Sequence, residues 1–355
     1  MFDFIKSYLG MGSVLGVDIG TAAIKIVEIK KTSTLPKLIN YGILRSNTHL
    51  DRPNSAIQSS ALKIVEKETA ELLKILIKEA GFKAKEAIAS IPVFSAFITL
   101  LEMPQMPEAD VAKAMAFQIK QHIPLPVSEV AIDWLKVGDK ETEGGIKQQI
   151  LLISIPKEII KRYQNIFKMA GLRLKALEIE SLSLARALVG NDPAPVLIID
   201  IGACSTNIAA IDQGFLKLNV FTDIAGSSLT SAIANGLSIN VKRAENLKRQ
   251  KGLKAGVAEY ELSTLPLPYL DAIIGEGLRA KNKFEKEQEK KIEKIILVGG
   301  GANLAGIEEY FRKQTSAPVL IGDSLSVLSY SPEIGILAKQ LGAELAIAIG
   351  LAIKV

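Results

Sequence analysis

The chain has 355 residues, 48% hydrophobic and 23% charged, with 43 Lys and Arg against 38 Asp and Glu for a formal net charge of +5. This is a globular composition with room for about two or three domains, and the basic excess is too slight to point to nucleic acid. A single cysteine, Cys204, and two histidines, His49 and His122, exclude a disulfide framework and a His/Cys metal cluster, and no run approaches the ~20 apolar residues of a membrane span.

Phe2, Phe4, Ile5, Tyr8 and Leu9 suggest a turn or two of amphipathic helix, read as a docked or frayed tail, with a weak membrane or partner contact as the alternative. Val14-Leu15-Gly16-Val17-Asp18-Ile19-Gly20-Thr21 then reads as a buried strand that delivers an aspartate and a glycine turn. Ala23–Ile29 returns as a second strand and Leu38–Leu44 as a third. Residues 46–61 are polar and contain Pro53, so they form a loop. Ile64, Val65, Leu72, Leu73, Leu76 and Ile77 recur at helical spacing, and Gly81 closes that helix.

Residues 85–175 read as an inserted α+β unit. Ala87–Ile91 and Ala96–Leu101 are strand-like, and Met103–Pro107 is a rigid connector. A helix runs from Glu108 to His122, stopped by Pro124 and Pro126. Val130–Val137 and Ile150–Ile155 are strands around a polar loop from Gly138 to Gly145. Lys157–Ala170 is a helix, and Leu172–Glu178 a returning strand.

A helix at Leu182–Val189 precedes a second Asp-Ile-Gly turn within Val196–Thr206, followed by strands at Asn207–Ile211 and Leu216–Thr222. Ala225-Gly226-Ser227-Ser228 opens a helix. Val241–Lys251 is a basic helix with Glu245 and Lys248 on one side, and residues 266–290 form a long helix with a solvated charge run. A third glycine site, Gly299-Gly300-Gly301-Ala302-Asn303, follows the buried strand Lys294–Val298 and precedes a helix. Leu345–Ile353 is a buried C-terminal helix.

Each hairpin tip offers backbone N–H groups and hydroxyls to a phosphate, with a carboxylate beside it for Mg²⁺, usually through water. One such turn is also ordinary hairpin chemistry. Two copies suggest a duplicated domain that grips one polyphosphate from both sides. Three adjacent glycines admit a ligand close to the backbone, and a helix N-terminus after them favours anions. Cys204, inside the second turn, is explained better by its small size than by reactivity.

The order of the three sites resembles the actin-like ATPase superfamily, which includes actin, sugar kinases and bacterial actins. The resemblance implies an α/β, ribonuclease H-like fold, duplicated around a nucleotide cleft. It implies that Asp18 and Asp200 orient Mg²⁺ through water. Gly20, Thr21, Ala22, Gly202, Ala203, Cys204, Ser205 and Thr206 would line the phosphates of ATP. Gly299, Gly300, Gly301, Ala302 and Asn303 would hold adenosine. Glu245 and Lys248 would approach ribose and adenine, with Gly226 at the adjoining loop. Lys25 is a phosphate contact or an outward-pointing strand residue.

The late insertion resembles the division protein FtsA and, more closely, the PilM family of type IV pilus assembly. The PilM resemblance covers nearly the whole chain. It rests on the aromatic N-terminus before the first turn, on Ala87-Ile88-Ala89-Ser90-Ile91-Pro92, on Gln118 to Pro126 and on Leu297 to Leu304. FtsA proteins carry a basic amphipathic helix at the extreme C-terminus, and none precedes Lys354-Val355, which favours PilM. The implied domains are 1–84 with 176–195 and 336–355, an inserted 85–175, and 196–335 with 226–291 as its helical outer part.

The implied role is a cytoplasmic ATP-binding adaptor, peripheral to the inner membrane, that binds the cytoplasmic N-terminal tail of a PilN-like membrane protein. Other pilus inner-membrane and motor components are further candidate partners. Segments 95–106 and 118–126 are expected to wall the tail groove. Glu180 is the candidate catalytic acid that positions water, the alternative being a helix N-terminal charge. Ala203-Cys204 stand where many hydrolysing relatives have glycines, so hydrolysis is left open between weak and none. An FtsA-like filament and a sugar-kinase-like phosphotransferase are the competing functions. The kinase would need a further cleft aspartate, and the sequence offers none in that context.

Overall fold

The computed structural model describes residues 12–46, 66–254 and 263–354. The expected N-terminal turns, nearly all of the loop 46–61 and His49 lie outside them. Strands β1 (Ser13–Ile19), β2 (Ala23–Lys30) and β3 (Lys37–Arg45) form an antiparallel meander. Helix α1 (Glu66–Ala80) leads to β4 (Glu86–Ile91), which pairs parallel with β1. β5 (Phe97–Pro104), α2 (Glu108–His122), β6 (Val130–Thr142) and β7 (Gly145–Pro156) make a separate three-stranded sheet, ordered β5-β7-β6, with one helix. α3 (Lys157–Met169) and β8 (Arg173–Ile179) return to the first sheet, whose order is β3-β2-β1-β4-β8.

After α4 (Glu180–Leu188) the pattern repeats. β9 (Val196–Ile201), β10 (Thr206–Asp212) and β11 (Phe215–Thr222) are the second meander. α5 (Gly226–Gly236), α6 (Val241–Lys251) and α7 (Leu267–Gln288) precede β12 (Lys294–Val298), and α8 (Ile307–Thr315) precedes β13 (Val319–Ile321). α9 (Ala338–Glu344) and α10 (Ala346–Ala352) close the described chain. The second sheet runs β11-β10-β9-β12-β13, the same order and the same strand senses as the first. The two Asp-Ile-Gly turns therefore belong to two copies of one unit. No single helix among the described residues is long and apolar enough to cross a membrane.

The inserted unit is smaller than the expected 85–175. β4 and β8 are strands of the first sheet, and Ala87–Ile91 is buried throughout, as a central parallel strand must be. α3 packs Ile159, Tyr163, Ile166 and Phe167 into the outer core of the same half. The separate sheet spans only Phe97–Pro156. Within it, β5 continues through Met103 and Pro104 instead of ending in a connector. An edge strand tolerates the missing N–H. Gly138 lies in β6, not in a loop: the register slips between Lys136 and Gly138, and its φ is +145°.

Alternation along each strand sorts side chains into three apolar layers. Leu15, Val17, Ile24 and Ile26 face α1 and α3. Val14, Val27, Ile198 and Ile296 face inward onto α4 and α10, which lie between the sheets. Leu197, Ile199 and Leu297 face α7 and α8. The middle layer is tight. A Cβ on Gly16 would sit 1.9 Å from the Ala348 carbonyl oxygen, and one on Gly350 2.0 Å from that of Ser183.

The inserted sheet touches the second half as well. Lys217 of β11, 4% exposed, donates to the Val137 carbonyl at 2.6 Å and to Gln149 Oε1 at 2.7 Å. Gln149 Nε2 reaches Gln288 Oε1 at 2.8 Å, and Lys140 Nζ the Glu287 carbonyl at 2.6 Å, both at the end of α7.

Candidate functional site: a cleft between the two halves

β1 ends in Asp18-Ile19-Gly20 and β9 in Asp200-Ile201-Gly202. Both ends open into one cleft of about 1030 Å³, which is also lined by the Gly299–Asn303 turn. Asp18 is 2% exposed; its Oδ2 accepts from Lys25 Nζ at 3.0 Å and its Oδ1 from Ser90 Oγ at 2.9 Å. Lys25 stands opposite Asp18 in the β1–β2 ladder, so the two side chains leave the same face of the sheet. The lysine therefore points into the cleft. Burial pulls its pKa down, but Asp18 and Asp200 more than offset that and hold it above its ordinary value.

Asp200 is 9% exposed, and its pKa is pushed up to about 6 by burial, with Asp18 adding to the rise and Lys25 opposing it. Glu180, the first residue of α4, lines the same cavity, and its Oε2 accepts from the Val93 amide at 3.4 Å. Burial, then Asp18 and Asp200, push the Glu180 carboxyl well above its usual range. Three carboxyl groups thus surround one ammonium. That deficit of positive charge is what a divalent cation or a further base would fill.

In the second half, the position equivalent to Lys25 is Asn207, opposite Asp200 in the β9–β10 ladder. Its amide donates to Ser181 Oγ at 2.9 Å and accepts from Asn219 Nδ2 at 2.7 Å. The repeat keeps the geometry and drops the charge.

The third turn is shaped for close approach. Gly299 has φ +81°, and a Cβ there would lie 2.2 Å from Asp200 Oδ1. A Cβ on Gly301 would meet Ile201 Cγ2 at 2.4 Å, whereas Gly300 has nothing within 4 Å and faces open space. On the far wall, Glu245 is held by Thr230 Oγ1 at 2.5 Å, Lys248 Nζ at 2.7 Å and Arg249 Nε at 2.6 Å. Burial raises the Glu245 pKa, but these donors win and bring it down to about 2. Lys248 also donates to the Gly226 carbonyl at 2.8 Å, tying α6 to the start of α5.

Gly20, Thr21, Ala22, Lys25, Gly202, Ala203, Ser205, Gly226, Glu245, Lys248 and Gly299–Asn303 all line the cleft with the three acids. Cys204 and Thr206 are not among the lining residues. Thr206 is fully buried and donates its hydroxyl to the Ile224 carbonyl at 2.7 Å, so that group stabilises the approach to α5. Sequence reasoning missed Asn207, Ser90, Arg45 and Glu344. Asn207 was readable as the partner position to Lys25. Arg45 forms a bidentate pair with Glu344, with Nη2 to Oε2 at 2.9 Å, across almost the whole chain length.

A family model described as type IV pilus assembly protein PilM matches residues 16–355. The cell division protein FtsA of Enterococcus hirae is 22% identical over 335 residues, covering 83% of this chain and 75% of that protein. Among solved structures, the PilM-PilN type IV pilus biogenesis complex matches with a TM-score of 0.81 at 21% identity, over 97% of this chain and 99% of that one. MreB 5 of Spiroplasma citri bound to AMPPNP matches with a TM-score of 0.51 at 16% identity, over 94% and 97% of the two chains. The fold is that of the actin-like ATPases, and the chain belongs to the PilM family of type IV pilus assembly proteins.

Proposed function

We propose that the chain is an ATP-binding adaptor of the type IV pilus inner-membrane complex. It would be cytoplasmic, holding the extended N-terminal tail of a PilN-like membrane protein. Family membership and likeness to the PilM-PilN complex support the partner. The observation that carries the nucleotide is the pair of Asp-Ile-Gly turns opening into one cleft, walled by the Gly299–Asn303 turn.

In this reading Asp18 and Asp200 hold Mg²⁺ through water. Thr21, Ala22, Ala203 and Ser205 would offer N–H groups to the phosphates, since the Gly20 and Gly202 amides already donate to the Ala23 and Ser205 carbonyls. The bound cation supplies the positive charge that lets two carboxylates and a polyphosphate share one cleft. Glu180 is the residue placed to orient water. Burial and its acidic neighbours Asp18 and Asp200 disfavour the charged form that would act as a base, so turnover is expected to be slow or nil.

Nucleotide bridging the halves would bias the seat of the inserted sheet, where segments 95–106 and 118–126 are our proposed groove wall.

The test is calorimetry of ATP–Mg²⁺ on the full chain, alone and with a synthetic tail peptide of the neighbouring membrane protein. Both should bind, with negligible phosphate release. Nucleotide binding without peptide binding would remove the adaptor, and phosphoryl transfer to a hydroxyl compound would establish a kinase.

A further inference from the structure

We propose that the end of the first sheet remote from the cleft is a docking face for anionic lipid headgroups. β1, β4 and β8 end at the cleft, so their starts and the end of β2 lie at the opposite pole. At that pole Lys37 pairs with Lys30, Lys30 with Ser13, and Glu86 with Arg173. Five adjacent strand ends make a row about 19 Å wide. The adjoining turns add Lys31, Lys83 and Lys85, all exposed. The last turns of α1 and α3 add Lys78 and Lys168. Lys175 completes nine cations, every one exposed.

Few carboxylates among the described residues oppose them. Glu86 pairs with Arg173 and lies 3.6 Å from Lys175. Glu28 is buried, accepting from the Ser13 hydroxyl and, at 3.0 Å, from the Lys83 amide. Glu79 is the third. Among the described residues, nine cations against these three carboxylates give an excess above the formal +5 of the whole chain. Only Arg173 and Lys175 of these cations lie within ion-pair distance of a carboxylate among the described residues.

Two features favour a bilayer over an acidic protein. The cations are mostly lysines, point charges spread over a broad face, with one open depression lined by Lys85, Gln164, Lys168 and Arg173. That arrangement suits many headgroup phosphates better than a few fixed carboxylates. The chain also enters β1 at this face, and the eleven residues before Gly12 include Phe2, Phe4, Ile5, Tyr8 and Leu9. An apolar sequence leading into that strand would add to the basic face the second signal that stable interfacial binding needs.

The experiment is co-sedimentation of the full chain, without partner or nucleotide, with vesicles of phosphatidylcholine alone or of a two-to-one mixture with phosphatidylglycerol. Binding is expected only to the mixed vesicles and should weaken as salt rises. The combined variant Lys37→Glu, Lys85→Glu, Lys168→Glu should lose at least about tenfold in partitioning. Its unchanged nucleotide affinity would certify the fold, and Lys283→Glu on α7 should bind as the parent does. Phe2→Ser with Phe4→Ser should weaken binding while leaving its salt dependence. Absence of phosphatidylglycerol-dependent binding, or binding that survives the triple reversal, would overturn the proposal. Undiminished binding without the two phenylalanines would overturn the bilayer as occupant.

Discussion

Asp200 holds its proton up to about pH 6, against an ordinary value of 3.8, because burial disfavours its charge. The folded chain therefore binds more protons than the unfolded one between those values, and stability falls as pH rises through that window. Asp200→Asn removes the penalty. It should stabilise the unliganded chain at neutral pH by ~1–3 kcal/mol, with the gain fading by about pH 4, while abolishing Mg²⁺-dependent ATP binding. Urea unfolding at both pH values, beside calorimetry, measures this.

Lys25 is the opposite case. Lys25→Met leaves Asp18 buried without its partner and should cost about 3 kcal/mol, part of it restored by millimolar Mg²⁺ in a thermal melt. The aspartates and glycines of the site were legible because backbone geometry and charge leave few substitutes for them. The direction of Lys25 became clear only from strand register. The fate of the Thr206 hydroxyl depended on Ile224, and the Arg45–Glu344 pair joins opposite ends of the chain, where no local pattern exists.

At the scale of elements, α4 and α10 touch without side chains between them. Gly350→Val would push a Cβ into the Ser183 carbonyl, with backbone on both sides of the contact. It should cost about 3 kcal/mol or more, whereas Gly335→Ala, with nothing within 4 Å, should be close to neutral. Denaturant midpoints of the two variants test the contrast. The meanders, the long helices and the three glycine turns were readable from periodicity. The edges of the inserted unit were not. β4 pairs with β8 across the whole insertion, and no nearby residue announces such a pairing. A signal did exist: Ala87–Ile91 is apolar at nearly every position, the mark of a strand covered on both faces. β6 instead leaves Asp133, Trp134 and Lys136 exposed, as a strand in a peripheral sheet does.

At the scale of the molecule, two like sheets flank two helices, and the cleft opens where the paired turns face each other. The duplication was legible because the same short string, Asp-Ile-Gly, follows a buried strand twice. The relation of the inserted sheet to the second half was not, since it depends on Lys217 and Gln149, two unremarked polar residues. Lys217→Met should leave nucleotide affinity within about twofold. It should speed amide exchange in β6 and β7, as mass spectrometry would show.

That contact makes the inserted sheet a strut with its feet on different bodies. Its chain leaves and rejoins the first half, yet its innermost hydrogen bonds belong to the second. If the halves swing about α4 and α10, the sheet cannot follow both. Either the Lys217 foot slips or the sheet tilts against the first half. A few degrees of hinge at the cleft then become a displacement at the sheet's outer edge, as a short lever moves a long arm.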